Sequence, residues 1–501
     1  MADTDFWLIL ALIALFLYAV QIAVIIAAER KHAGRAVAWS FIALVCPFAG
    51  FAAYLIAERD FKRKKALRRQ ELNRLKQACE LSGAEAFQHD KNEAEQPGQP
   101  KLAPAAQGGP PPARPLPNPD VEKLHHILTG VSQSAITVHN EVRVLTNGKE
   151  FFPCLLEDLA RAKHHIHLDF YTIRDDGIGS RLLDVLTERA RSGVEVRVLY
   201  DGLGSWQLSK TYISRLHEAG IRTSCFLPPR NAIAARQLNY RNHSKIAVID
   251  GKIGFLGGIN IGDEYLGLDP KLGFWRDTQL RLQGDAVYYL QELFMRHWAY
   301  AAGETLPFAS YCPPHRIPGK ERVLIVSGGP DSGKEPVLHA VFAAISSARE
   351  RIWLTTPYFI PDPSLLTALR CAAIGGADVR MIVPGKTDHM LVLSATLAYA
   401  RPLLASGVKI YRYRKGFIHS KVMLVDRHAA VIGTANMDMR SFYSNFEQNA
   451  FLFDGEAIDR LERDFLQDIA DSEEMKPEDA DVLSPKEKIK EAVSLLLSPL
   501  L

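Results

Sequence analysis

Two stretches of this chain set a histidine and a lysine two residues apart, ahead of an apolar run that ends on an aspartate. One is His243-Ser-Lys245-Ile-Ala-Val-Ile-Asp250, followed by Gly257-Gly-Ile-Asn260. The other is His419-Ser-Lys421-Val-Met-Leu-Val-Asp426, followed at the same interval by Gly433-Thr-Ala-Asn436. Alternate residues of a strand face one way, so each His-Lys pair is expected to project together. The apolar runs read as strands buried on both faces. Asp250 and Asp426 complete the motif and are counted with His243, Lys245, His419 and Lys421 in the candidate catalytic set. Each lies about 23 Å along an extended strand from its histidine, however, so it is better suited to fixing a turn than to sharing an atom with the imidazole.

Two such pairs brought face to face make a phosphate site. Lysines supply positive charge where a phosphoryl transition state spreads negative charge. One imidazole can attack phosphorus while the other protonates the departing alcohol. This chemistry calls for no metal and no cofactor. A single copy would read as a buried histidine beside a lysine whose amine reaches for solvent; two copies with matched tails do not.

Residues that must converge need elements to carry them. From about residue 120 the chain alternates strands and helices, with Ile166–Tyr171 and Val194–Tyr200 as strands and Ile178–Ser192 as a helix between them. This rhythm predicts an α/β sheet covered on both faces by helices. The phrase Ala162-Lys-His-His-Ile-His-Leu-Asp-Phe-Tyr171 is echoed by Ala348-Arg-Glu-Arg-Ile-Trp-Leu-Thr-Thr-Pro-Tyr358, and each copy leads through a helix to a glycine-led strand. The expectation is a duplicated α/β body with pseudo-two-fold symmetry, one repeat over 120–315 and the other over 316–480.

The N-terminal part differs in texture. Phe6–Ala28 carries no charge and is long enough to span a bilayer, and a second apolar run covers Ala36–Ala57. Residues 1–60 thus read as a two-helix transmembrane hairpin rather than a signal peptide, since no basic residue precedes the first run. Lys/Arg residues after the second run, Arg59 to Lys76, outweigh the three in the turn, which predicts a cytoplasmic body and contact with anionic headgroups. Residues 61–119 join this basic flank to a Pro-rich tether that cannot bury enough surface to fold. Ser484-Pro-Lys-Glu487 reads as a capping box opening a C-terminal amphipathic helix in 481–501, with Ile489, Ala492, Val493, Leu496 and Leu497 on one face, expected to dock on the body or the bilayer.

With 47% apolar and 23% charged residues the chain is of globular composition, and a net charge of +3 argues against a nucleic-acid binder. Its six cysteines are dispersed, in neither a disulfide nor a zinc pattern.

The doubled pattern resembles the phospholipase D superfamily over most of 121–480. Arg241-Asn-His-Ser-Lys245, Trp275-Arg-Asp277, Thr356-Pro-Tyr-Phe-Ile-Pro361, Asn436-Met-Asp-Met-Arg-Ser441 and Asn445-Phe-Glu447 are similar to the bacterial cardiolipin synthases, as are Trp39 and Pro47-x-x-Gly50-x-x-x-Tyr54 in the anchor. The resemblance implies conversion of two phosphatidylglycerols to cardiolipin and glycerol through a phosphatidyl-histidine. It implies phosphate-binding roles for Asn260 and Asn436, and carboxylates, by position Asp277 and Glu447, that orient the histidines. From it alone comes the expectation that His243 attacks and His419 acts as the acid. Hydrolysis, or transfer to serine or ethanolamine, would use the same intermediate. The expected partners are phosphatidylglycerol and the bilayer, with no nucleic acid.

Overall fold

The computed structural model describes residues 2–30, 33–57, 73–78, 80–81, 119–132, 134–234, 237–314, 317–332, 334–387, 389–476 and 484–500. Most of the basic flank and the Pro-rich tether fall outside them.

The first apolar run is one helix, Ala2–Ala28, whose stretch Asp5–Ala28 is long and apolar enough to cross a membrane. The second run departs from the sequence expectation. It breaks into Ala33–Val45 and Ala49–Ala57, about 20 Å and 14 Å long by the helical rise, each short of the roughly 30 Å of a bilayer core. The break has a local cause: Pro47 has no N–H to continue the helix, and Phe48 takes a left-handed φ of 61°. The two short helices fold back on each other so closely that a Cβ on Gly50 would lie 2.9 Å from Ala43 Cα. Trp39 meets Tyr54 edge to face at 5.6 Å, and Glu29 takes a buried ion pair from Arg35 at 3.5 Å. A two-helix hairpin of full spans is therefore not what these residues build.

The body is two mixed sheets. The first holds β1 (Asn140–Thr146), β2 (His165–Phe170), β3 (Glu195–Asp201), β4 (Arg222–Phe226), β5 (Lys245–Ile249), β6 (Ile253–Gly257) and β7 (Thr278–Gly284), in the order β1-β7-β6-β5-β2-β3-β4. The second holds β8 (Arg322–Gly328), β9 (Arg351–Thr355), β10 (Asp378–Pro384), β11 (Lys409–Tyr413), β12 (Val422–Val425), β13 (Ala429–Gly433), β14 (Asn445–Phe453) and β15 (Ser472–Glu474), in the order β8-β14-β13-β12-β9-β10-β11-β15. Apart from the added edge strand β15, the two orders match strand for strand. β2 and β3 pair in parallel, as do β9 and β10, while β5 and β12 run antiparallel to β2 and β9.

One core lies between the sheets. Ile246, Val248, Leu280 and Leu282 of the first sheet and Leu424, Ile432, Ala450 and Leu452 of the second face it, around Leu290, Phe294 and Trp298 of helix Ala286–Ala302 and Phe465 of helix Glu456–Ala470. Separate cores lie on the outer faces, under helices such as Gly177–Arg191 and Pro336–Ser347. β2, β5, β9 and β12 are buried at every position, because both faces of the sheet are covered.

The C-terminal helix Pro485–Leu497 has the expected capping box, with Ser484 Oγ accepting from Glu487 N. It docks on the body by polar contacts, with Leu496 and Leu497 of the apolar face half-buried. Ser494 and Ser498 are buried, Tyr399 and Ser498 hydroxyls bond at 2.9 Å, and Arg401 pairs with Glu491, all against helix Met390–Leu404. Ile489, Ala492 and Val493 stay exposed.

Candidate active site

Each histidine sits in a break between two short pairings. Arg241–Asn242 runs parallel to Asn445–Phe446, and β5 begins only at Lys245; Gly416–Ile418 runs parallel to Phe274–Arg276, and β12 begins at Val422. The expectation that His and Lys share one face of a regular strand is thus corrected: the histidine stands where the chain crosses from one half to the other. His243 N donates to Phe446 O at 3.1 Å and His419 N to Arg276 O at 2.7 Å. Ser244 Oγ accepts from Gln448 Nε2, and Ser420 shares a hydrogen bond with Thr278.

This crossing decides which carboxylate meets which imidazole. His243 Nδ1 lies 2.9 and 3.0 Å from the two oxygens of Glu447, and His419 Nδ1 lies 2.7 Å from Asp277 Oδ2. Each carboxylate serves the histidine of the other half. Both are fully buried, while the histidines keep about a tenth of their side chains exposed, 12% for His243 and 10% for His419, enough for a reactant to reach them. Glu447 is fixed by Thr434 Oγ1 at 2.5 Å and Asn445 Nδ2 at 3.0 Å; Asp277 is fixed by Thr278 N at 2.8 Å. With Nδ1 held by a carboxylate, Nε2 is the nitrogen that faces the chemistry; in His419 Lys421 Nζ lies 3.2 Å from it.

The lysines fold back on their own segments. Lys245 Nζ donates to His243 O at 3.0 Å and Lys421 Nζ to His419 O at 2.5 Å. Tyr171 packs edge-on against His243 with ring centres 5.0 Å apart, and its ring lies under Lys245. Burial pushes His243 down to about 4, with the Glu447 carboxylate opposing and Lys245 adding, so its imidazole is neutral at ordinary pH. Burial likewise lowers His419, with Lys421 adding and Asp277 opposing. Burial also brings Lys245 down to about 7, against the pull of Glu447. For Glu447 and Asp277 burial acts upward, but the facing histidines and lysines outweigh it and hold both carboxyls below their usual range.

Asn260 and Asn436 stand beside the pairs. Asn260 accepts from Thr172 N at 3.1 Å and donates to Tyr265 Oη at 2.8 Å; Asn436 donates to Asp438 at 3.0 Å, and its buried Oδ1 has no hydrogen-bond partner among the described residues. Asp250 and Asp426 are elsewhere, and counting them with the catalytic set does not fit where they lie. Each occupies a left-handed turn at the far end of its strand, with φ of 54° and 51°. Asp250 accepts from the amides of Lys163, His164 and His165, and Asp426 from those of Arg349, Glu350 and Arg351.

Several supporting residues gave no sequence signal. Asp169 takes His297 Nδ1 at 2.7 Å and Asn242 Nδ2 at 2.7 Å, and Asp201 takes Asn242 N at 3.0 Å, all behind His243. Arg276 Nε meets Asp468 at 2.7 Å behind His419. Thr434 was visible only as a departure from the doubled glycine of the first copy. Among the described residues no group of His, Cys, Asp and Glu is arranged to hold a metal.

Two carboxylate-backed imidazoles with flanking lysines, on a twice-repeated α/β sheet, define a class of phosphodiester-transferring enzyme that can work through a covalent phospho-histidine. Residues 155–298 and 341–469 match the family described as cardiolipin synthase, PLD-like domain. A Bacillus anthracis protein named cardiolipin synthase 2 is 42% identical over 94% of this chain and 88% of its own length, and a Geobacillus cardiolipin synthase is 40% identical over 96% and 92%. The chain belongs to the cardiolipin synthase family. The crystal structure of the Haemophilus influenzae phosphatidylserine synthase shares the fold, with a TM-score of 0.57 at 15% identity over 76% of this chain and 96% of that one.

Proposed function

We propose that this chain is a cardiolipin synthase that moves a phosphatidyl group from one phosphatidylglycerol to the glycerol hydroxyl of another. The observation that carries the reading is the crossed pairing His243–Glu447 and His419–Asp277, which makes the site whole only when both halves are present. The matching strand orders support a duplicated body with a pseudo-two-fold axis running between the pairs.

In the first step His243 Nε2 attacks phosphorus. The phosphatidyl–glycerol P–O bond breaks, and the leaving glycerol takes a proton from Nε2 of the His419 imidazolium, whose charge Asp277 stabilises. Lys245 and Lys421 balance the negative charge on the phosphoryl oxygens, and Asn260 and Asn436 bound the same space. In the second step the hydroxyl of another phosphatidylglycerol enters, gives its proton to neutral His419, and attacks phosphorus as the P–N bond to His243 breaks. Cardiolipin forms and both histidines return to their starting states. The reaction consumes no metal or cofactor.

We place helix Ala2–Ala28 in the bilayer and the body on the cytoplasmic face, on the strength of the helix's length and the Lys/Arg-rich flank. The purified full chain, reconstituted with phosphatidylglycerol, should release one glycerol for each cardiolipin. Accumulation of phosphatidic acid would make it a hydrolase instead, and no change in the lipid with cleavage of an oligonucleotide would make it a nuclease.

A further inference from the structure

Beside the site the chain carries apolar side chains that the fold holds out into solvent. Loop 202–208 follows β3 and presents Trp206 at 68% exposure and Leu203 at 41%. The loop cannot fold inward to hide them. Asp201 Oδ1 accepts from Leu203 N and Gly204 N, while its other oxygen accepts from Asn242 N, next to His243. Ser205 Oγ donates to Tyr171 O and accepts from Ile173 N, and a Cβ on Gly204 would lie 2.8 Å from the Tyr171 ring. One carboxylate thus fastens both the loop and the histidine's segment, and Tyr171 separates the loop from the imidazole.

The second half repeats the arrangement after β10, the strand that corresponds to β3. Helix Met390–Leu404 opens with Met390 at 61% and Leu391 at 44% exposure. Its Thr396 hydroxyl accepts from Phe359 N, next to Tyr358, whose ring faces His419 with centres 6.5 Å apart. The folded-back helices of the N-terminal segment pack on the body close to both histidine-bearing halves. Ala57 O accepts from Asn239 N, four residues before His243, and Gly34 lies against Pro499 of the tail that holds helix Met390–Leu404. Lys210, Arg230 and Lys386 near the two lips are exposed.

We propose that the two lips, Leu203 with Trp206 and Met390 with Leu391, insert into the headgroup boundary of an anionic bilayer and seat the mouth of the site on the membrane. The proposal rests on the reading above, that the substrate is a bilayer lipid and that helix Ala2–Ala28 enters that bilayer. Tryptophan is enriched at membrane interfaces, and an apolar tip flanked by basic residues matches an anionic surface. Each lip is a pair of exposed apolar side chains, not the broad face that a second copy or another protein would cover. A phosphodiester at headgroup depth would then lie at the level of the histidines without leaving the membrane.

The test uses the full chain in phosphatidylglycerol/phosphatidylcholine vesicles with brominated acyl chains. There are six tryptophans, so Trp206 is read as the difference between the native chain and Trp206→Phe. The difference emission should be quenched by bromine and protected from aqueous acrylamide. Acrylamide quenching without bromine quenching would overturn the proposal, as would shielding from both together with cross-linking between copies. Leu203→Asp/Trp206→Asp should lower turnover of bilayer phosphatidylglycerol on the order of tenfold, and leave turnover of a short-chain, monomeric phosphatidylglycerol unchanged. Equal loss on both substrates would overturn it too. Absence of cardiolipin from either substrate with the native chain would sink the functional reading, while the bromine experiment would still read the docking.

Discussion

The two halves share a strand order but not the shell behind their histidines. In the second half Thr434 gives its hydroxyl to Glu447, and the longer carboxylate reaches His243 from there. In the first half the corresponding residue is Gly258, and a Cβ on it would lie 2.1 Å from Asp277 Oδ1. Glycine goes with the short carboxylate and threonine with the long one, so each is half of a matched pair. The deeper layer differs in charge. Behind His243 stand Asp169 and His297 with Asn242; behind His419 stand Arg276 and Asp468. A repeated frame with unlike shells fits the proposal that two similar imidazoles take unlike tasks, one bonding to phosphorus and one handling protons.

The largest effect should come from removing the imidazoles. His243→Ala and His419→Ala should each lower synthesis on the order of 10⁴-fold or more. A phosphatidyl lipid with a nitrophenol headgroup separates them, since that leaving group needs little protonation. After acid-free quenching, the His419→Ala protein should carry a phosphatidylated peptide at His243, and the His243→Ala protein should carry none. The opposite pattern would exchange the roles.

Removing charge from the carboxylates should cost somewhat less and divide the same way. Asp277→Asn and Glu447→Gln keep shape but lose the stabilised imidazolium and the fixed tautomer, which costs roughly 10³–10⁴-fold in turnover. The nitrophenol lipid should restore enzyme loading in Asp277→Asn, whose partner His419 is then spared its acid task. Loading in Glu447→Gln should stay low. Equal rescue of both would erase the functional difference between the halves.

The doubled motif was legible because chemistry repeated at a fixed interval is rare by chance, and the alternation around it gave the α/β sheets within a residue or two of their ends. Three things were not legible. The crossing of carboxylates depends on two short parallel pairings, Arg241–Asn242 with Asn445–Phe446 and Gly416–Ile418 with Phe274–Arg276, which no local pattern announces. The second apolar run looked like a span because hydropathy does not weigh what Pro47 and the left-handed Phe48 do to a helix. The C-terminal helix followed its capping signal but turned its serines inward, because Tyr399 and Arg401 offer polar partners that the spacing of its apolar residues does not announce.

A smaller effect should appear with pH. Burial holds Lys245 at about 7, so its charge is present below that pH and is lost above it. kcat/KM for phosphatidylglycerol, which reports the free enzyme, should fall as pH rises through about 7, by up to tenfold per unit beyond. With lipid bound, the phosphate favours the charged amine, and the fall in kcat should move to higher pH. Lys245→Arg keeps its proton throughout, and should remove the part of the fall that Lys245 causes, leaving the part that comes from loss of the His419 proton, even if overall activity drops. A kcat/KM that stays level from pH 6 to 9 in the native chain would show that the charge on Lys245 is not needed.

The least effect on chemistry is expected where the halves agree. Asp250 and Asp426 each occupy a left-handed turn and each take three consecutive backbone amides from the segment that leads into β2 or β9. Those strands lie beside β5 and β12, so the aspartates hold the sheet in register without reaching the histidines. Replacing either with Ala removes the acceptor for three amides, exposed or half-buried at Asp250 and half-buried or buried at Asp426, and puts a residue with no local hydrogen bond at positive φ. The cost should be about 2–4 kcal/mol of stability. It should be nearly the same for Asp250→Ala and Asp426→Ala, and the turnover of the folded fraction should stay within about twofold of the native chain. Denaturant midpoints with single-turnover rates on the same preparations would check this. A loss of turnover that outruns the loss of folded protein in either variant would return that aspartate to the catalytic set, and a loss in only one would extend the asymmetry of the shells to the frame itself.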